Sequence, residues 1–345
     1  MSAISMEKRK QSNTINYLRA IAIILVMIMH SMTFGQSHFN VGKDNHAYNT
    51  FLAVLDSVHV PLFFMISGYL CHQQNVPKYY KKKFFQLLIP FFVFTTLKFI
   101  PNIFIDHLYD FKSIAKEFVN AYVGGNYYWF SYCLFVLFLI APLLWKLKNK
   151  LVLVGIFSLL LAFNIANGFW GLFADGGFLY LGDVLRNGPF QIYAAISFGT
   201  WFLFGYILKQ VNAEKLLGKQ WIKHGALVLS LAVGTVAITL FAKGMLENVF
   251  LRKVMISLPL SYVLLYLFSL VRFKIAPLNY VSKYSYQLFL LDSLIKLALL
   301  NLVSMLLPLN IPIIAVLALA NVAISTLISY LAHKIPFVKV LFGLS

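Results

Sequence analysis

Arg19 and His30 stand eleven residues apart, and every residue between them, Ala20 to Met29, is apolar. On a helix that spacing is about three whole turns plus 20°, with a rise of about 16 Å. Both side chains therefore leave one face at two depths. A neutral imidazole near physiological pH is suited to take a proton from a hydroxyl, as a general base does. The guanidinium is a permanent cation whose planar fork fits phosphate or carboxylate. Plainer readings stand beside these: an Arg near a helix end also snorkels to lipid phosphate, and a lone His in an apolar segment also serves packing or hydrogen bonding.

Other polar residues interrupt apolar runs. Lys81, Lys82 and Lys83 form a basic cluster ahead of a third such run, explained equally by topology and anionic lipid or by a phosphorylated ligand. Asp292 and Lys296 are one turn apart and are expected to pair, favouring a structural role. Asp56 and His59 fall at a depth comparable to His30 and are expected to line the same outward cavity. Tyr127, Tyr128 and Trp129 read as interfacial anchors. The sequence contains no Gly-rich phosphate loop, zinc-ligand motif or nucleophile elbow. Cys71 and Cys133 offer neither a disulfide framework nor metal-ligand spacing, so no metal site is expected.

These residues need elements to hold them, and the composition says which. Of 345 residues, 60% are hydrophobic, 12% are charged and 33 are Phe. A soluble domain carries about 25% charged residues, so lipid must be the solvent for much of this surface. Apolar segments of spanning length recur at about 14–34, 52–71, 84–105, 129–145, 150–167, 193–209, 224–242, 253–271, 284–303 and 311–332. Several contain Pro or Gly, which membrane helices tolerate. The fold expected is all-α, a polytopic transmembrane bundle of about ten spans forming a single domain over 1–345. Lys8, Arg9 and Lys10 precede the first run without a cleavage site after it, so that run reads as a retained signal-anchor.

Charge tests the count. With the N-terminus inside, 20 of the 29 basic residues fall in cytoplasmic segments. Seven fall outside: Lys43, Lys112, Lys116, Arg186, Lys243, Arg252 and Lys253. Lys98 and Lys296 lie within spans. This bias predicts an even number of spans with both termini cytoplasmic. It also assigns the formal charge of +18 to topology rather than to nucleic acid. The longest outer segments are 35–50, 106–128 and 167–192, and no soluble domain is expected after the last span.

Asn16–Tyr17–Leu18–Arg19–Ala20 followed by His30 resembles the first-helix signature of the acyltransferase-3 family of membrane proteins. Val60–Pro61–Leu62–Phe63–Phe64–Met65–Ile66–Ser67–Gly68–Tyr69–Leu70 closely resembles its second-helix motif. Lys81–Lys82–Lys83–Phe84, ending at Pro90, is similar to its basic entry to the third helix. Trp129–Phe130 with Leu134 and Pro142 is similar to its fourth-helix pattern. Ser282–Lys283–Tyr284–Ser285–Tyr286–Gln287–Leu288–Phe289–Leu290–Leu291 is similar to its late Ser-Tyr motif. Asn16 stands where members often have Asp, and Asp292 where the late motif often ends in His.

The resemblance implies acyl transfer, commonly of acetyl from acetyl-CoA, to a hydroxyl of a cell-envelope sugar or glycolipid in a bacterial plasma membrane. It makes His30 the base and Arg19 the acyl-CoA contact, with Lys81, Lys82 and Lys83 assisting on the donor side. Asn16, His59, Ser67, Ser285 and Asp292 are candidate accessory residues. Acyl-CoA is then a co-substrate, with no permanently bound cofactor. Attack runs directly or through an acyl-enzyme, and the acyl group crosses the bilayer or the acceptor enters from the membrane plane. The length matches the small stand-alone type rather than the type fused to a hydrolase-like domain. The alternative is an exporter of a polysaccharide or lipid-linked sugar, for which internal repeats with broken helices are expected; none is evident between the halves.

Overall fold

The structure is a computed structural model describing residues 3–105, 108, 110–173, 188–213, 219–271 and 273–344, with side chains from residue 13 onward. The side chains of Lys8, Arg9 and Lys10, and the residues Arg186, Lys215 and Arg272, lie outside the described residues, as does most of the outer segment 167–192.

All regular structure among the described residues is helical. The long helices are α1 (Ala3–Phe39), α2 (His46–Tyr69), α4 (Ile89–Ile105), α6 (Trp129–Lys146), α7 (Lys150–Trp170) and α8 (Ile192–Gln210), then α9 (Gln220–Ala242), α10 (Val249–Leu270), α12 (Ser285–Ser304) and α13 (Ile311–Lys334). Shorter helices are α3 (Val76–Lys83), α5 (Phe111–Phe118), α11 (Ala276–Lys283) and α14 (Pro336–Leu341). Among the described residues ten helices are long and apolar enough to cross a membrane, each matching one expected span.

Three expectations about boundaries change. The third span begins at Val76, because α3 runs through a π-helical turn at Phe84–Leu88 into α4. Lys81, Lys82 and Lys83 therefore belong to the span's own helix rather than to a loop before it. Asn75 starts that helix by accepting the Lys78 backbone N–H at 3.2 Å, with Pro77 in the first turn. The segment 35–50, expected as a loop, is mostly helix, since α1 continues to Phe39 and α2 starts at His46. The segment 106–128 contains α5, capped by Asp110, whose side chain accepts the Ser113 N–H. Hydrogen bonds from Ser113 hold that exposed carboxyl below its usual range.

The chain forms two compact units, Met1–Ile66 with Asn212–Leu331, and Ser67–Val211 with Ala332–Ser345. In the first, α1 packs against α10, α11 and α12, and α9 lies along α10. Met32, Tyr48, Leu52, Leu300 and Ile314 join α1, α2, α12 and α13 in one buried cluster. The Tyr48 hydroxyl closes it by donating to the Met32 carbonyl at 3.0 Å. Val58, Ala237, Leu246 and Ile256 join α2, α9 and α10 in another.

The motif residues ahead of Arg19 fasten α1 in place. The Tyr17 hydroxyl donates to the Phe273 carbonyl at 3.2 Å and accepts the Ile275 N–H at 2.9 Å. Asn16 donates its amide to Asn279 Oδ1 at 3.2 Å. These three bonds tie α1 to α11 and the residues just before it, which sets the depth at which Arg19 and His30 are presented.

In the second unit α7 packs on α8, and α6 packs on α3 and α8. Residues 67–69, the end of α2, also belong here. A Cβ at Gly68 would sit 1.8 Å from the Phe202 carbonyl oxygen, so the motif glycine is where α2 and α8 backbones touch.

Candidate active site

Two helices of the first unit meet at His30. Its Nδ1 lies 2.7 Å from Asp292 Oδ2, joining α1 to α12 across 262 residues of sequence. The His30 side chain is 33% exposed and that of Asp292 2%, so the imidazole opens outward while the carboxylate is sealed behind it. An ionised carboxylate only accepts, so Nδ1 carries the proton. A neutral His30 then presents Nε2 as a lone pair. A carboxylate fixing an imidazole this way also stabilises the imidazolium formed on proton transfer.

Asp292 is not engaged as expected. Among the described residues no ion pair joins it to Lys296, whose Nζ lies over the Phe34 ring at 5.6 Å from the centroid. Its second oxygen, Oδ1, accepts from Asn321 Nδ2 of α13 at 2.8 Å. The reason is geometric. Asp292 faces the packed side of α12, where charge-assisted hydrogen bonds are available, while the longer Lys296 side chain reaches an aromatic face.

Arg19 and His30 share the unbroken α1, as their spacing requires. Arg19 is half-buried, and no carboxylate pairs with it among the described residues. A cation without a counter-anion in such a helix is well placed to receive an anionic ligand.

His59 is buried, with 1% of its surface exposed. Its Nδ1–H donates to the Leu55 carbonyl at 2.5 Å, leaving Nε2 as the acceptor in the neutral ring. Asp56, His30 and Lys253 are near enough to interact with it electrostatically. Asp56 pairs with Lys253 of α10 at 3.2 Å. His59 thus lies near His30 in the same unit, but it is enclosed, not lining an open surface. Ser285 is buried in the first turn of α12, two turns before Asp292 and on the same face.

Ser67, Lys81, Lys82 and Lys83 belong to the second unit, and Asn16 to the first. Lys81 and Lys82 are exposed, whereas Lys83 turns inward with Nζ 3.8 Å from the Phe138 ring centroid. The three lysines are therefore not equivalent: two offer free charge, and one is held against an aromatic face. Ser67 is half-buried near the end of α2. Asn16 is occupied by Asn279 and acts as a fastening.

The site includes a residue that the sequence reading missed. Asn321 contacts the carboxylate directly, and a trace of it was visible beforehand. Asn321, Ser325 and Ser329 recur every four residues within a largely apolar span, marking one polar stripe on a helix. Among the described residues no group of three or more His, Cys, Asp or Glu side chains has metal-binding geometry.

No curated protein and no solved structure matches the chain. A family model described as an acyltransferase domain, that of the acyltransferase-3 family, matches residues 12–330, from before Arg19 to beyond Asn321. With nearly its whole length matched, and with ten helices able to span a bilayer, this chain belongs to the acyltransferase-3 family of multi-pass membrane acyltransferases.

Proposed function

We propose that the protein moves an acetyl group from acetyl-CoA to a hydroxyl of a cell-envelope sugar or glycolipid, in a bacterial plasma membrane with both chain termini cytoplasmic. The observation that carries this reading is the His30–Asp292 pair at 2.7 Å, with the open side of the imidazole directed away from the buried carboxylate.

His30 Nε2 takes the proton of the acceptor hydroxyl as its oxygen bonds to the thioester carbonyl carbon. The C–S bond then breaks, and the departing coenzyme A thiolate takes the proton back from the imidazolium. An ester and free coenzyme A result. Arg19 holds the donor's anionic part, about 16 Å back along α1, a separation suited to the extended pantetheine arm. Lys81 and Lys82, exposed on the second unit, carry charge of the sign that attracts phosphate.

The test uses purified protein in nanodiscs titrated with acetyl-CoA. Wild type and His30→Ala are expected to bind, and Arg19→Ala to bind about tenfold more weakly or worse, as for a lost charge-assisted hydrogen bond. A folded wild type that does not bind acetyl-CoA overturns the donor assignment. Equal binding by Arg19→Ala overturns the role of Arg19.

A further inference from the structure

Asn321 is fully buried, as are Ser325 and Ser329 one and two turns further along α13. Its Nδ2 donates to Asp292 Oδ1 at 2.8 Å and lies 3.4 Å from the Asp292 backbone carbonyl. The Ser325 hydroxyl donates to Asn321 Oδ1 at 3.0 Å, and the Ser329 hydroxyl to the Ser325 carbonyl at 2.7 Å. We propose that Asn321, held by Ser325, is a positioning residue that turns the Asp292 carboxylate onto His30. This rests on the acyl-transfer reading of His30.

The argument runs through donor and acceptor capacity. Asp292 is sealed from water, and its carboxylate only accepts. The hydrogen bonds recorded for the carboxylate bring it two donors, one on each oxygen: His30 Nδ1–H on Oδ2 and Asn321 Nδ2–H on Oδ1. Without the second donor, the carboxylate's orientation rests on the imidazole alone. The amide has its own ambiguity, since its two ends have the same shape. Asp292 demands the NH₂ end, which leaves Oδ1 buried and in need of a donor, and Ser325 supplies one. A chain of single-valued hydrogen bonds thus fixes which imidazole nitrogen carries the proton. A buried polar relay in an apolar span is otherwise costly to keep.

The experiment uses the full-length protein in nanodiscs, with acetyl-CoA as donor and glycerol as acceptor probe, following release of the coenzyme A thiol. Asn321→Leu is expected to lower kcat about tenfold or more, the effect of losing a hydrogen bond to a charged group. Its KM for acetyl-CoA should stay within about twofold, because Asn321 acts on the base and not on ground-state binding. In an Asp292→Asn background it should cause no further loss, since it works through that carboxylate. Ser325→Ala, which keeps Asn321, is expected to show a smaller loss with the same dependence on Asp292.

Solid-state NMR of ¹⁵N-histidine-labelled protein reads the pair without turnover. A downfield Nδ1 proton assigned to His30 should vanish in Asp292→Asn and move in Asn321→Leu. Full kcat in Asn321→Leu, an unmoved resonance, or losses that multiply in the double variant overturn the inference. A His30→Ala protein that keeps wild-type turnover instead overturns the general-base reading of His30 beneath it.

Discussion

At the scale of single residues, the proposed chemistry reduces to one imidazole with two different sides. Nδ1 is committed to Asp292, and the proposal assigns Nε2 to the acceptor hydroxyl. His30→Ala is expected to cut acyl transfer by about 10²–10⁴-fold, the range for a positioned general base. Asp292→Asn should also fall steeply while binding acetyl-CoA normally, because the amide no longer dictates the tautomer. Initial-rate kinetics beside donor titrations check both, and normal turnover by folded Asp292→Asn would sink the pairing argument. Arg19 and His30 were legible in the sequence because a charge and an imidazole within an apolar stretch stand out against a lipid-solvated background. The partner of Asp292 was not legible. Lys296 is close in sequence, but side chains one turn apart meet only if both point along the helix surface, and Asp292 faces the packed interior instead.

At the scale of elements, glycines mark where helices are pressed together, and they differ in what they press against. A Cβ at Gly68 meets the Phe202 backbone at 1.8 Å, which cannot yield without moving α8. A Cβ at Gly35 meets Ile314 Cδ1 at 2.2 Å, the far end of a side chain that has other rotamers. Gly68→Ala is therefore expected to destabilise by about 1–3 kcal/mol, as overpacking does. Gly35→Ala should fall well below that. Thermal unfolding of both variants in the same nanodisc decides it, and equal melting temperatures would contradict the distinction. The helices themselves were readable from apolar run length, since a bilayer requires about 20 residues of each. Their ends were less so. The start of α3 depends on Asn75 and Pro77, local caps that lie outside any hydrophobic window.

At the scale of the whole molecule, the ten helices and the distribution of basic residues make a joint claim. Reporter tags at the N- and C-termini are both expected to be protected in right-side-out vesicles and exposed in inverted ones. Tags on opposite sides would require an odd number of crossings, and an exposed N-terminal tag would reverse the donor side proposed for Arg19. That the chain lives in lipid, crosses it about ten times and carries an Arg and a His on one helical face was determined by the sequence alone. Those properties depend on composition, run length and the 3.6-residue repeat, all local along the chain. Only the tertiary structure decided that His30 meets Asp292, that Asn321 holds the other oxygen, and that Asn16 is a fastening. Each of those contacts joins different helices, two of them more than 260 residues apart, and a buried polar group takes whichever partner packing brings within about 3 Å.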